Sequence, residues 1–178
     1  MNRAIRNAAL LLALSVGLAG TTAGNPPGGS RPVTVNFINS EGRPVGTAVL
    51  TEAQHGVKIA LDLHGLPPGK HLLHIHQFPR CDAPDFKSAG PHFDPAGTGH
   101  GEHGPAGLPA GDIPNFVLTV NADGTSHTTV IAPNVTLGND MYSVLSNGGA
   151  SIVIHAVADT VTAAAPPRIA CGVIEKTE

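Results

Sequence analysis

The sequence has no tryptophan, and aromatic residues make up only 3% of its 178 positions. It holds two cysteines, Cys81 and Cys171, and 13% charged residues. Against these shortages stand 22 glycines and 16 prolines. That balance excludes an architecture of long helices and favours many short strands joined by tight turns. With 41% hydrophobic residues, the chain suits one domain with a core of its own. No basic patch argues for nucleic acid, and no internal repeat is visible.

The longest apolar stretch is confined to the N-terminus. Arg3 and Arg6 precede an apolar run at 8–19, and Thr21-Thr22-Ala23 offers small residues for cleavage. Residues 1–23 are therefore predicted to be a signal peptide, too short for a membrane span. Residues 24–31 read as a flexible leader and 32–178 as the domain. Removing Arg3 and Arg6 from the 10 basic residues leaves 8 against 13 acidic ones, a net charge of -5. Export would carry the chain to the periplasm, the cell surface or the medium. In such an oxidising compartment Cys81 and Cys171 are expected to pair. Closing a loop of about 90 residues in the unfolded chain is worth roughly 4 to 5 kcal/mol at most.

Alternation of apolar and polar residues predicts strands at 32–39, 45–52 and 57–63, then one through Lys70-His71-Leu72-Leu73-His74-Ile75-His76. Further strands are predicted at 115–120, 126–131, 151–157 and 169–174, with Asn121-Ala122-Asp123-Gly124 as a hairpin turn. Eight short strands with short connections predict an all-β, antiparallel Greek-key barrel or sandwich. Between 77 and 111 periodicity stops and Gly, Pro, Asp and His dominate. A loop of that length inside a compact domain points to ligand binding.

His74 and His76 lie two residues apart in a strand, so both rings project to one face about 7 Å apart. Alone, a His-x-His pair is a weak signal. His92, His100, Asp112 and His155 add donors of the imidazole and carboxylate kind, which suit copper or zinc. His71 is out of register with His74 and His76 and should face the other way. For His55, His64, His71, His103 and His127, surface or turn positions are the default.

These residues resemble the copper/zinc superoxide dismutase family. The resemblance rests on residues 69–77, on Lys87-Ser88-Ala89-Gly90-Pro91-His92-Phe93-Asp94-Pro95, on Gly111-Asp112-Ile113-Pro114-Asn115, on 151–155 with Asp159, and on Arg168-Ile169-Ala170-Cys171-Gly172. It implies an eight-stranded Greek-key barrel, related in architecture to immunoglobulin-like sandwiches, that disproportionates superoxide. It implies copper held by His74, His76, His92 and His155, with His92 bridging to zinc. His100 and Asp112 match further zinc ligands, and Asp159 matches the carboxylate linking His74 to His100. Arg168 matches the cation beside the open copper position, and Cys81–Cys171 the family disulfide.

Two departures qualify that picture. Pro109 falls where the remaining zinc histidine is expected, three residues before Asp112, and proline has no side-chain donor. His103 stands in the same loop as a candidate replacement. A zinc site rescued by His103, one completed by water, and a copper-only protein all stay open. The segment 160–167 carries no charge, so the loop that steers anions in the family is shortened and neutral here, leaving Arg168 with Arg80 or Lys87 as the attractive field. The competing reading is an extracytoplasmic copper buffer with little dismutase activity. Oligomeric state is not legible from the sequence, nor is the role of Gln77.

Overall fold

A computed structural model describes residues 31–98, 107–114, 116–156 and 166–176. Eight antiparallel strands account for the architecture: β1 (Val33–Asn39), β2 (Pro44–Ala53), β3 (Gly56–Leu63), β4 (Gly69–His76), β5 (Leu118–Val120), β6 (Ser126–Ala132), β7 (Ala150–Ala156) and β8 (Arg168–Ile174). Their order across the sheet is β5-β4-β7-β8-β1-β2-β3-β6. The two ends of that order, β5 and β6, are consecutive in the chain. Their hairpin, with Asn121 N–H donating to Thr125 O at 2.8 Å, nearly closes the barrel. The all-β Greek-key expectation therefore holds.

Strict alternation explains most strands. In β1, Val33, Val35 and Phe37 are buried; in β3, Val57, Ile59, Leu61 and Leu63 are. Strand β7 breaks the rule, since every residue of Ala150–His155 is buried. Ala150, Ile152 and Ile154 fill the barrel interior. Val153, on the outer face, is covered by a smaller cluster with Phe86, Ala89 and Cys171. A strand buried on both faces reads as a continuous apolar run, because the 77–92 loop folds down over the barrel wall here.

That loop is fastened at both ends. Cys81 is bonded to Cys171 of β8, with their Cα atoms 5.5 Å apart. At the other end Phe93 is buried in the main core, with Ala110 and Ile113 from farther along. Gly111 sits where these segments touch: its N–H donates to Phe93 O at 2.8 Å, and its carbonyl accepts from Ile75 N–H at 2.9 Å. A Cβ at 111 would overlap the Ile75 carbonyl oxygen and approach Phe93 N at 2.9 Å, so only glycine fits between β4 and this loop.

The strand predicted from 115 is shorter than expected, beginning at Leu118. The burial of His71 is a second correction. It does face away from His74 and His76, but toward the interior, and it is 5% exposed. Its Nε2 lies 2.8 Å from Pro67 O and its Nδ1 3.2 Å from His155 O. The single N–H of the ring has a carbonyl acceptor within reach, the nearer being Pro67 O, which lets a polar side chain take a core position. His55, His64 and His127 are exposed, as expected. The predicted signal peptide, most of the leader, His100, His103, Asp159 and most of the neutral segment lie outside the described residues.

Candidate metal centre

Strand β4 presents His74 and His76 on the outer wall, and β7 brings His155 beside them. An isolated bridge between His76 and His92 draws the loop histidine into the same place. One ring nitrogen from each of His74, His76, His92 and His155 lies within 4.8 Å of the others. Of the six donors singled out in the sequence, these four converge, Asp112 adjoins them, and His100 is not among the described residues.

Hydrogen-bond partners set the tautomers. His76 Nδ1 lies 2.9 Å from Gly90 O, and His155 Nδ1 lies 3.3 Å from Pro166 O. Carbonyls only accept, so each ring carries its hydrogen on Nδ1. The Nε2 atoms then face each other at 3.2 Å with lone pairs and no hydrogen between them. His74 Nδ1 is fully buried and has no hydrogen-bond partner among the described residues. Converging imidazole lone pairs and an orphaned buried nitrogen are unfavourable without a cation, and a cation that prefers nitrogen satisfies all of them. The donor set fits a metal ion.

Burial holds three of the rings, His74, His76 and His155, neutral. Desolvation, with the fields of His92 and His155, pushes His74 down to about 3. Desolvation lowers His76 to about 2 against the opposing Gly90 hydrogen bond, and His155 to about 4 against that of Pro166. A neutral imidazole is the form that ligates.

On the far side, His92 turns Nδ1 toward Asp112 Oδ1, 2.5 Å away. The Asp112 side chain is 16% exposed. Pro109 is buried, and its carbonyl accepts from Asp112 N–H at 3.1 Å. It shapes the turn that presents the carboxylate but brings no donor of its own.

Arg168 opens β8 beside His155, aligned with it by a bulge in the β7–β8 register. Its guanidinium donates to Phe86 O at 2.6 Å and to Gly90 O at 2.7 Å. The Gly90 carbonyl thus serves both His76 and Arg168. Gly90 adopts φ 76, and a Cβ there would strike the Phe78 ring. Desolvation lowers the Arg168 pKa, but from so high a value that the side chain stays cationic. Of the other cations, Lys87 is paired with Asp85 at 2.8 Å, and Arg80 is exposed.

Sequence reading missed the carbonyls of Phe86, Gly90 and Pro166, since a backbone oxygen has no residue signature. Gln77, whose role stayed open, accepts from Asp94 N–H at 3.3 Å, tying the end of β4 to the segment after His92.

An all-β barrel carrying a four-histidine metal centre on its wall defines a class of metalloprotein, and comparison with known proteins names it. The copper/zinc superoxide dismutase family profile matches residues 45–174. A copper/zinc superoxide dismutase of Aquifex aeolicus is 42% identical over 144 residues, covering 78% of this chain and 83% of the relative. That of Caulobacter vibrioides is 39% identical over 142 residues, covering 76% and 80%. Among solved structures, a SOD-like protein from Bacillus subtilis superposes with TM-score 0.70 at 32% identity, over 79% of this chain and 97% of the other. The Brucella abortus copper/zinc superoxide dismutase gives 0.64 at 30%, over 82% and 100%. The chain belongs to the copper/zinc superoxide dismutase family, a family of oxidoreductases.

Proposed function

We propose that this chain is an exported, copper-dependent superoxide dismutase whose zinc site is weakened or lost because Pro109 replaces a ligand. The observation that carries the reading is the placement of Arg168 against a cluster of converging, neutral imidazoles. A buffer needs the histidines; only a reaction with an anion needs the fixed cation. His74, His76, His92 and His155 would hold copper. Bound there, copper would supply a one-electron couple for a reaction whose balance is two superoxide anions and two protons giving dioxygen and hydrogen peroxide.

Arg168 binds and orients the anion. Two of its five N–H groups are spent on Phe86 O and Gly90 O, which fixes the guanidinium plane and leaves other donors for superoxide. His92 carries a proton on its cluster-facing nitrogen in one half of the cycle and returns it in the other, while Asp112 anchors its Nδ1. That anchor lets the ring keep its orientation when zinc is scarce. His92, Asp112 and His100 would remain as zinc donors, with His103 as the candidate fourth. Asp159 would act behind them. The signal-peptide pattern at 1–23 supports export to the periplasm, cell surface or medium, and among the described residues no helix is long and apolar enough to cross a membrane.

The test is metal content of the chain offered copper and zinc together, with dismutation measured on the same sample. About one copper, sub-stoichiometric zinc and activity are expected. Copper bound without activity would replace this reading with a copper buffer, and a full zinc complement would overturn the weakened site.

A further inference from the structure

Arg168 depends on the Phe86 carbonyl, and that carbonyl is aimed by an unusual backbone. Phe86 adopts φ 52 and ψ 23, a left-handed conformation that non-glycine residues take up only when their surroundings enforce it. Its side chain is fully buried. Across it, Asp85 Oδ1 accepts from Lys87 N–H at 3.1 Å, closing a turn with Phe86 at its centre. The other carboxylate oxygen of Asp85 meets Lys87 Nζ at 2.8 Å. Asp85, Lys87 and Arg168 line one groove of about 400 Å³ with Pro84, Pro166 and Pro167.

We propose that Asp85 is the positioning residue for Arg168, its carboxylate closing the turn that aims the Phe86 carbonyl at the guanidinium. It has a second, opposing effect. Its charge offsets that of Lys87 at the mouth of the groove, so that Arg168 attracts the anion without help from Lys87. The chain trades attraction for orientation. The positional claim stands on geometry alone; its consequence for rate rests on the dismutase reading.

Variants separate the two effects. Asp85→Asn keeps an oxygen for Lys87 N–H and removes the charge. Asp85→Ala removes both. Asp85→Glu keeps the charge but moves the oxygen out of reach of the turn, and it carries the same contrast if the alanine variant does not fold. In the diamagnetic full chain, metal-free or copper(I)-loaded, the Arg168 guanidinium should show slowly exchanging N–H signals in proton–nitrogen NMR. Those signals are expected to persist in Asp85→Asn and to lose protection in Asp85→Ala and Asp85→Glu. In the copper(II) protein, azide, used as an anion probe, should bind about fivefold more weakly to Asp85→Ala. It should bind to Asp85→Asn as well as to wild type or better. Superoxide should react about twofold faster with Asp85→Asn at low ionic strength, the size expected from removing one solvent-screened negative charge near the groove. The gain should vanish in salt. Unchanged Arg168 signals in Asp85→Ala or Asp85→Glu would overturn the proposal, as would equal loss of protection in Asp85→Asn. A wild type with these protected signals but no dismutation would refute the dismutase reading and leave the positional claim standing.

Discussion

Lowering the pH on the metal-free protein tests the histidine cluster directly. An unfolded histidine takes up a proton near pH 6.5, whereas His74, His76 and His155 stay neutral in the folded state down to about 3, about 2 and about 4. Folded pKa values below the unfolded ones mean that the stability contribution is complete above pH 6.5. It falls as the pH drops, because the unfolded chain binds protons that the native one refuses. Each ring costs about 1.4 kcal/mol per pH unit in that window, so three rings cost at most about 6 kcal/mol between pH 6.5 and 5. Residual solvent contact makes about 4 kcal/mol the working figure. That is a large share of a typical domain's 5 to 15 kcal/mol. The assay is urea unfolding at pH 7.5, 6 and 5, followed by far-ultraviolet circular dichroism because the chain has no tryptophan. Carboxylates such as Asp140, lowered by its Thr136 hydrogen bond, act only below about pH 5. His155→Gln should remove about a third of the slope. A loss below about 1 kcal/mol between pH 7.5 and 5 would refute the view that burial keeps these rings neutral, and copper should move the transition to lower pH by competing with protons.

Replacing Arg168 by Gln should cut the dismutation rate constant about tenfold or more while copper stoichiometry and the copper(II) spectrum stay unchanged; undiminished activity would remove Arg168 from the mechanism. Pro109→His should raise bound zinc to one per chain and increase the thermal midpoint, read by elemental analysis and calorimetry. No gain in zinc would mean that the turn at Pro109 cannot present a ligand. Gly111→Ala should cost about 2 to 4 kcal/mol in urea unfolding, because the added methyl forces the Phe93 segment away from Ile75.

Much of this was legible in the sequence for a simple reason. Alternation in 33–37 and 57–63 reports burial on one face of a strand, and no distant contact is needed to read it. His74 and His76 share a face by the same period of two. Matching motifs then joined His92, Asp112, His155 and Arg168 to one family pattern. His71 defeated the reading, because its place in the core depends on carbonyls of Pro67 and His155 that only folding supplies. Strand β5 began later than its apolar pattern implied, since Phe116 is packed against the core from outside the strand.

By itself, the sequence determined the strand set, the two-cysteine tie, the donor types and the absence of a side-chain donor at Pro109. Those are properties of side-chain chemistry and spacing. Only the tertiary structure decided that His76 and His155, 79 residues apart, oppose lone pairs. It also decided that Gly90 O and Pro166 O choose their tautomers and that a left-handed Phe86 holds Arg168 in place. Backbone carbonyls are the same in every residue, so their direction is set by the path of the chain and not by its letters.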